Sequence, residues 1–313
     1  MAEIKSTRIA YGEALKKLGA VDKNVIVCDA DLAHATMTAF FADEYPDRFY
    51  NFGIAESNMM AASAGLAHCG YTVFASTFAM FGAGRAFEQV RNAICYTNAN
   101  VKLGLSHAGP SCGEDGGSHQ AVEDIALMRT LPRMTVLVPC DAVEMEKAVF
   151  AAAKINGPVF IRTGRLPTEV ITTEEMPFEV GKALTLREGK DVAIIACGIM
   201  VAQAMHAAET LAAEGIQARV INMHTIKPLD SEAVLAAVKD CGAIVTAEEH
   251  SVIGGLGGAV AEVLADNTHV PFERVGIQDR FGQSGTPALL AKEYGLTDKE
   301  IAEAARRAVA RKA

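Results

Sequence analysis

Fifteen consecutive residues, Ser106-His-Ala-Gly-Pro-Ser-Cys-Gly-Glu-Asp-Gly-Gly-Ser-His-Gln120, hold two histidines, two acids and four glycines. Glycines let a backbone approach a ligand closely, and His107, Asp115 and His119 can donate, accept and shuttle protons near neutral pH. A solvated surface loop or a metal site is the plainer account of the same residues. A second candidate is Glu56, in Asn51-Phe-Gly-Ile-Ala-Glu-Ser-Asn-Met-Met60, where an apolar strand turns into a helix of small residues. A carboxylate there either complements the helix dipole or handles protons in a ligand crevice. Thr77-Phe78-Ala79-Met80-Phe81 places two aromatics three apart on one side of a helix, for which core packing is the default. Arg8, Arg162 and Arg165 stand at the edges of expected elements, and guanidinium groups suit phosphate as well as ordinary surface positions.

Cysteine chemistry is less promising. Cys28, Cys69, Cys95, Cys112, Cys140, Cys197 and Cys241 are scattered without a Cys-x-x-Cys pair or a Cys/His cluster, so most read as small buried hydrophobes. Cys112 lies in the glycine-rich loop but has no clear base partner, which argues against a nucleophile. In the second half, Ala247-Glu-Glu-His-Ser-Val-Ile-Gly-Gly-Leu-Gly-Gly258 superficially suggests a dinucleotide loop. Its spacing misses the last small residue, so a tight turn with close helix packing is expected instead.

These residues need elements to position them. Short β-branched runs at Val25–Ala30, Phe49–Gly53, Thr72–Thr77, Val101–His107, Thr135–Cys140 and Val159–Thr163 alternate with helical patterns at Glu56–His68, Phe87–Thr97, Ala121–Arg129 and Ala142–Lys154. That alternation predicts a doubly wound parallel sheet. Periodicity fails between Gly164 and Lys190, and a second alternation follows, with strands at Val192–Cys197, Ala218–Met223, Ala243–Ala247 and Arg274–Ile277. Its helices are expected at Val201–Ala213, Ser231–Lys239, Gly258–Leu264 and Lys299–Val309. The fold class is α/β with two doubly wound domains, residues 1–165 and 191–313, joined by a linker over 166–190.

The 313 residues are half apolar, lack tryptophan and carry a net charge of −9 without a basic block, so no nucleic-acid or anionic-membrane footprint is present. No signal peptide or membrane-spanning run is legible, and a cytoplasmic protein is expected.

Taken together, Ala30-Asp31-Leu32, Gly53-Ile54-Ala55-Glu56, Ser76-Thr77-Phe78, Gly113-Glu-Asp-Gly-x-x-His119-Gln120 and Phe160-Ile-Arg162 resemble the carboxyl-terminal half of transketolase over nearly the whole chain. The resemblance implies a pyrimidine-binding domain with a parallel sheet, then a transketolase carboxyl-terminal domain with a mixed sheet. It implies thiamine diphosphate as cofactor and transfer of a two-carbon ketol unit between sugar phosphates. The family holds the diphosphate through Mg²⁺ on a Gly-Asp-Gly motif, and no Gly-Asp-Gly exists here. The chain is therefore expected to hold no metal itself and to be inactive without an amino-terminal transketolase subunit, in a heterotetramer with two of each chain.

By the resemblance, Glu56 hydrogen-bonds the cofactor's aminopyrimidine, Phe78 and Phe81 flank that ring, and Asp31, Leu32 and Ile54 complete the cofactor contacts. Asp115 reads a substrate hydroxyl, His119 contacts the donor's reacting end, and Arg8, His107 and Arg162 hold the sugar phosphate. Ser57 stands where the family usually has His or Gln, and Gly84 where some members have a third aromatic. Ala35 replaces a phosphate-binding serine, with Thr36 as the nearest substitute. Deoxyxylulose-phosphate synthases and 2-oxoacid dehydrogenase β subunits are the related alternatives. The former are usually single chains, and the latter lack the Gly-Glu-Asp-Gly-x-x-His-Gln cassette. A non-catalytic regulatory partner is the reading from another class.

Overall fold

The computed structural model describes residues 3–312. Its strands are β1 Ile4–Ser6, β2 Val25–Asp29, β3 Phe49–Asn51, β4 Thr72–Phe78, β5 Val101–Ser106, β6 Thr135–Leu137, β7 Val159–Arg162, β8 Pro167–Glu169, β9 Leu184–Arg187, β10 Val192–Ala196, β11 Ala218–Asn222, β12 Thr225–Lys227, β13 Ile244–Ser251 and β14 Phe272–Ile277. Seven of them form one sheet in the order β12-β6-β7-β5-β4-β2-β3. It is parallel except at β12, which pairs antiparallel with β6 through Thr225↔Leu137 and Lys227↔Val136. Five form a second sheet, β14-β13-β10-β11-β9, in which β9 alone runs antiparallel to its neighbour. Strands β1 and β8 make a separate antiparallel ribbon. Two α/β units are thus the architecture that the alternating pattern predicts, and the mixed character of the second sheet is what the family resemblance implies.

Residue alternation explains why helices cover both faces of the first sheet. Val25 and Val27 pack with Tyr11, Leu15 and Leu18 of the helix Thr7–Val21, whereas Ile26 and Cys28 face Met59 and Met60 of the helix Glu56–His68. The helix Ala142–Lys154 is started by Asp141, whose side chain accepts a hydrogen bond from the Glu144 backbone N–H, and it buries Met145, Ala148, Val149 and Ala152. In the second sheet, Val192, Ile194 and Val245 meet the helices Met200–Ala213 and Asp298–Ala310. The opposite face, with Ala193, Ile195 and Ile221, belongs to the same apolar cluster as Ile26 and Leu103 of the first sheet. The two units therefore share a continuous core.

Two local departures matter for the site. The span read as one helix over Phe87–Thr97 is instead a short helical turn, Phe87–Gln89, between π-helical segments Met80–Arg85 and Val90–Tyr96. Such widened turns concentrate at functional sites because they re-aim side chains. The helix Thr7–Val21 is continuous and carries Arg8 in its first turn. Among the described residues no helix is long and apolar enough to cross a membrane.

Candidate functional site

The chain runs from β2 outward to β3 and then back across to β4, so the strand order reverses beside β2. Open parallel sheets bind ligands in the crevice beyond the carboxyl ends of the strands at such a point. Three loops meet there, and their geometry comes largely from Asp29 and Asn51, which the sequence reading did not single out. Asp29 is fully buried at the end of β2. Its Oδ1 accepts the Leu32 backbone N–H at 2.6 Å, and its Oδ2 accepts the hydroxyls of Thr36 at 2.8 Å and Thr38 at 2.9 Å. Asn51 Oδ1 accepts the backbone N–H groups of Asp31 at 3.1 Å and Gly53 at 2.9 Å, while its Nδ2 donates to Asp31 Oδ1 at 3.2 Å. This holds exposed Asp31 at a φ of 65°, a left-handed conformation that aspartate tolerates better than most residues.

Asn51 thereby ties the Asp31–Leu32 turn to the one leading into Glu56. Glu56 begins the helix Glu56–His68 and is 3 % exposed, yet its side chain makes no hydrogen bond among the described residues. Ile54, two residues earlier, is 77 % exposed. The helix that Glu56 opens packs against the Met80–Arg85 turn.

At the ends of β4 and β5 four rings gather. Phe78 stacks on His107 with centroids 3.9 Å apart and on Phe81 at 5.8 Å. His119 meets Phe81 edge-on at 5.3 Å and Phe78 at 6.2 Å. Burial, reinforced by Arg8 and Arg165, pushes the His107 imidazole down to about 4, so it is neutral at pH 7. Its Nδ1 lies 2.5 Å from Ser106 Oγ. Exposed Asp115 closes the turn Pro110–Asp115, where its Oδ2 accepts Cys112 Sγ at 3.5 Å. Burial, with Asp115 adding to it, raises the Cys112 thiol to about 12, which leaves it inert as a nucleophile.

The cationic side of the cluster differs from expectation. Arg8 Nη1 donates to the Ala35 carbonyl at 2.9 Å, and its buried Nε has no partner among the described residues. Arg165 is near enough to help depress both Arg8 and His107, and it donates to the Cys112 carbonyl and to Glu114 at 3.2 Å. Arg162 does not join them. It is buried, with Nε 2.7 Å and Nη2 3.2 Å from the Asp124 carboxylate and Nη2 also 2.9 Å from the Glu249 carbonyl. The expectation that Arg162 holds a phosphate is thus corrected: its fork is already occupied, and Arg165 is the arginine beside Arg8. Thr36 is likewise no substitute for the serine absent at Ala35, because its buried hydroxyl is bound to Asp29. At Gly84, the Met80 thioether methyl fills the space that a side chain would need.

The residues present fit an aminopyrimidine ring. Among the described residues the buried Glu56 carboxyl and the buried Thr77 hydroxyl make no hydrogen bond, and the stacked pair Phe78 and Phe81 leads into the turn packed against the helix that Glu56 opens. No group of three or more His, Cys, Asp or Glu suited to a metal ion occurs among the described residues.

The comparisons with known proteins agree with this geometry. The family described as transketolase, pyrimidine binding domain, matches residues 4–169, and transketolase, C-terminal domain, matches 181–301. A putative transketolase C-terminal section from Methanocaldococcus jannaschii is 48 % identical over 96 % of this chain and 95 % of its own. A 6-deoxy-6-sulfo-D-fructose transketolase subunit from a Clostridium species is 43 % identical over 97 % of this chain and 95 % of its own. A split-gene transketolase solved as an inactive β4 tetramer superposes with a TM-score of 0.93 at 50 % identity, covering 99 % of this chain and all of that one. The resemblance drawn from the motifs is borne out: this chain belongs to the transketolase family.

Proposed function

We propose that this chain is the carboxyl-terminal subunit of a two-chain, thiamine-diphosphate-dependent transketolase that moves a two-carbon ketol unit from a ketose phosphate to an aldose phosphate. The observation that carries the reading is Glu56, a buried carboxyl without a protein partner among the described residues, at the switch-point crevice beside the stacked aromatic rings. Full-length similarity to a transketolase C-terminal section and to a transketolase subunit supports it.

When bound, thiamine diphosphate supplies the acidic carbon and the electron sink of ketol transfer. This chain binds and orients its pyrimidine end. Glu56 shares a proton with a ring nitrogen, Phe78 and Phe81 flank the ring, and Asp31, Leu32 and Ile54 shape the rim. Asp115 accepts from a substrate hydroxyl, and His119 hydrogen-bonds the donor's reacting end. Neutral His107 has its Nδ1 paired with Ser106 Oγ, so its Nε2 is the nitrogen left for the sugar phosphate. Arg8 and Arg165 hold the sugar phosphate, and on Arg8 both Nε and Nη2 are without a hydrogen bond among the described residues.

The diphosphate and its Mg²⁺ belong to the amino-terminal subunit, which carries the Gly-Asp-Gly motif, and the assembly is a cytoplasmic heterotetramer with two of each chain. Reconstitution is the test. Ketol transfer should require both purified subunits, thiamine diphosphate, Mg²⁺ and a ketose/aldose phosphate pair. A stable complex of the two subunits without any ketol transfer would sink the proposal.

A further inference from the structure

We infer that the cavity between the two domains, behind the Pro110–Asp115 turn, binds a small, largely apolar molecule carrying one ammonium group. The cavity has a volume of about 330 Å³ and is walled by Leu166, Ile199, Met200, Pro287 and Ala291. That size suits a ligand of a dozen or so heavy atoms, at the low end of known pockets. It is separate from the ring cluster, since none of Glu56, Phe78, His107 or His119 lines it.

Its polar groups fix the ligand's chemistry. Glu249, buried at the end of β13, accepts the Ser111 backbone N–H on Oε1 at 2.6 Å. Its Oε2 accepts no hydrogen bond among the described residues; it faces Arg162 Nη1 in a long ion pair of 3.9 Å, while Nε and Nη2 of that arginine hold Asp124. The Ser111 hydroxyl lies beside this carboxyl, but it is buried without a hydrogen bond of good geometry. At the rim, Glu169 pairs with His206 at 3.1 Å. No basic side chain lines the cavity among the described residues.

An anionic ligand would meet Glu249 and Glu169 in a lining that offers it no basic side chain among the described residues. A purely apolar one would cover Oε2 without offering it a donor, which is costly. An ammonium group donates to Oε2 and to the Ser111 hydroxyl, and its apolar body covers the aliphatic walls. Pro110 and Ser111 line the cavity, so an occupant lies directly behind the turn that ends in Asp115.

Calorimetry on the isolated full chain tests this without relying on the proposed enzyme activity. Benzylamine is the probe, with benzyl alcohol and benzoate as its neutral and anionic counterparts. Burial raises the Glu249 carboxyl to about 7, so titrations at about pH 8 present it ionised. Benzylamine should bind at one site, at least about tenfold more tightly than either counterpart. Ala291→Leu, which fills the cavity from its apolar wall, should weaken it by about tenfold or more while the thermal transition stays cooperative. Ser111→Ala serves as a second variant and should weaken the amine without narrowing the cavity. Undetectable benzylamine binding, equal binding of benzoate, or unchanged binding to a folded Ala291→Leu chain would each overturn the inference.

Discussion

Two strand ends in this molecule carry similar residues and do opposite things. Where β3 leads into a helix, and where β5 leads into the glycine-rich loop, Glu56, His107, Asp115 and His119 stand around a crevice, and Glu56 keeps unused hydrogen-bonding capacity. Along β13, Glu248, Glu249 and His250 are as buried as Glu56 and His107 and also precede a glycine-rich helix entry. There the valences are nearly all taken. Glu248 accepts the backbone N–H groups of Leu256 and Gly257, each at 2.7 Å, and His250 Nε2 accepts that of Ala126 at 3.2 Å. Composition does not separate a reactive carboxylate from a structural one. What remains unbonded after folding does.

The largest expected effect breaks the open end. Glu56→Gln should lower ketol transfer in the reconstituted enzyme by about 10²–10⁴-fold, the range for a lost proton-handling group, with no drop in thermal stability. A variant that kept near-normal turnover would show Glu56 to be as structural as Glu248.

A second pair sharpens the contrast between the arginine buried against Asp124 and the one beside Arg8. Arg162→Ala leaves Asp124 buried and unpaired and should cost about 3–5 kcal/mol in denaturant unfolding. Arg165→Ala should instead raise KM for phosphorylated sugars by about ten- to a hundredfold at unchanged stability, the loss of one charge-assisted contact. The opposite pattern would restore Arg162 to the phosphate site.

The smallest effect concerns a closed site that joins the domains. Glu144 Oε1 accepts Asn222 Nδ2 of β11 at 2.7 Å, Oε2 accepts the Cys140 backbone N–H at 2.7 Å, and burial raises the carboxyl to about 7. A raised carboxyl makes the folded state bind more protons than the unfolded one between about pH 4.5 and 7, so stability falls as pH rises through that window and levels off above it. Glu144→Gln removes this term. Its stability relative to wild type should therefore rise by about 2–3 kcal/mol across the window, on top of any constant offset, as read from denaturant midpoints. A flat difference would mean that Glu144 titrates normally.

Much of this was legible before folding. The helices Glu56–His68 and Ala142–Lys154 are observed with the bounds expected: the second has the Asp141 cap and an apolar face, and the first lies between Gly53 and Gly70, both at positive φ. The loop from Ser106 to Gln120 stood out because so many glycines and histidines at a strand's end make poor packing material. Arg162 and Arg165 could not be told apart, since what distinguishes them is contact with Asp124 and Glu249, 38 and 87 positions away. The roles of Asp29 and Asn51 were hidden because each works through contacts that only the fold creates: Asp29 gathers the Leu32 N–H and the Thr36 and Thr38 hydroxyls, and Asn51 accepts the N–H of Asp31 from another loop. Strand β12 has three residues and exists only through its pairing with β6, which no periodicity could announce.

That three-residue strand has a consequence for anyone dissecting the protein. By lying along β6, β12 lets the later half of the chain shield an edge of the earlier half's sheet. A fragment ending near residue 165 would leave Val136 and Leu137, both fully buried, on an open, apolar sheet margin. Such margins recruit further strands, so the separated half would be prone to precipitate as filaments or amorphous aggregate. Recombinant work on the crevice residues is best done with the entire polypeptide.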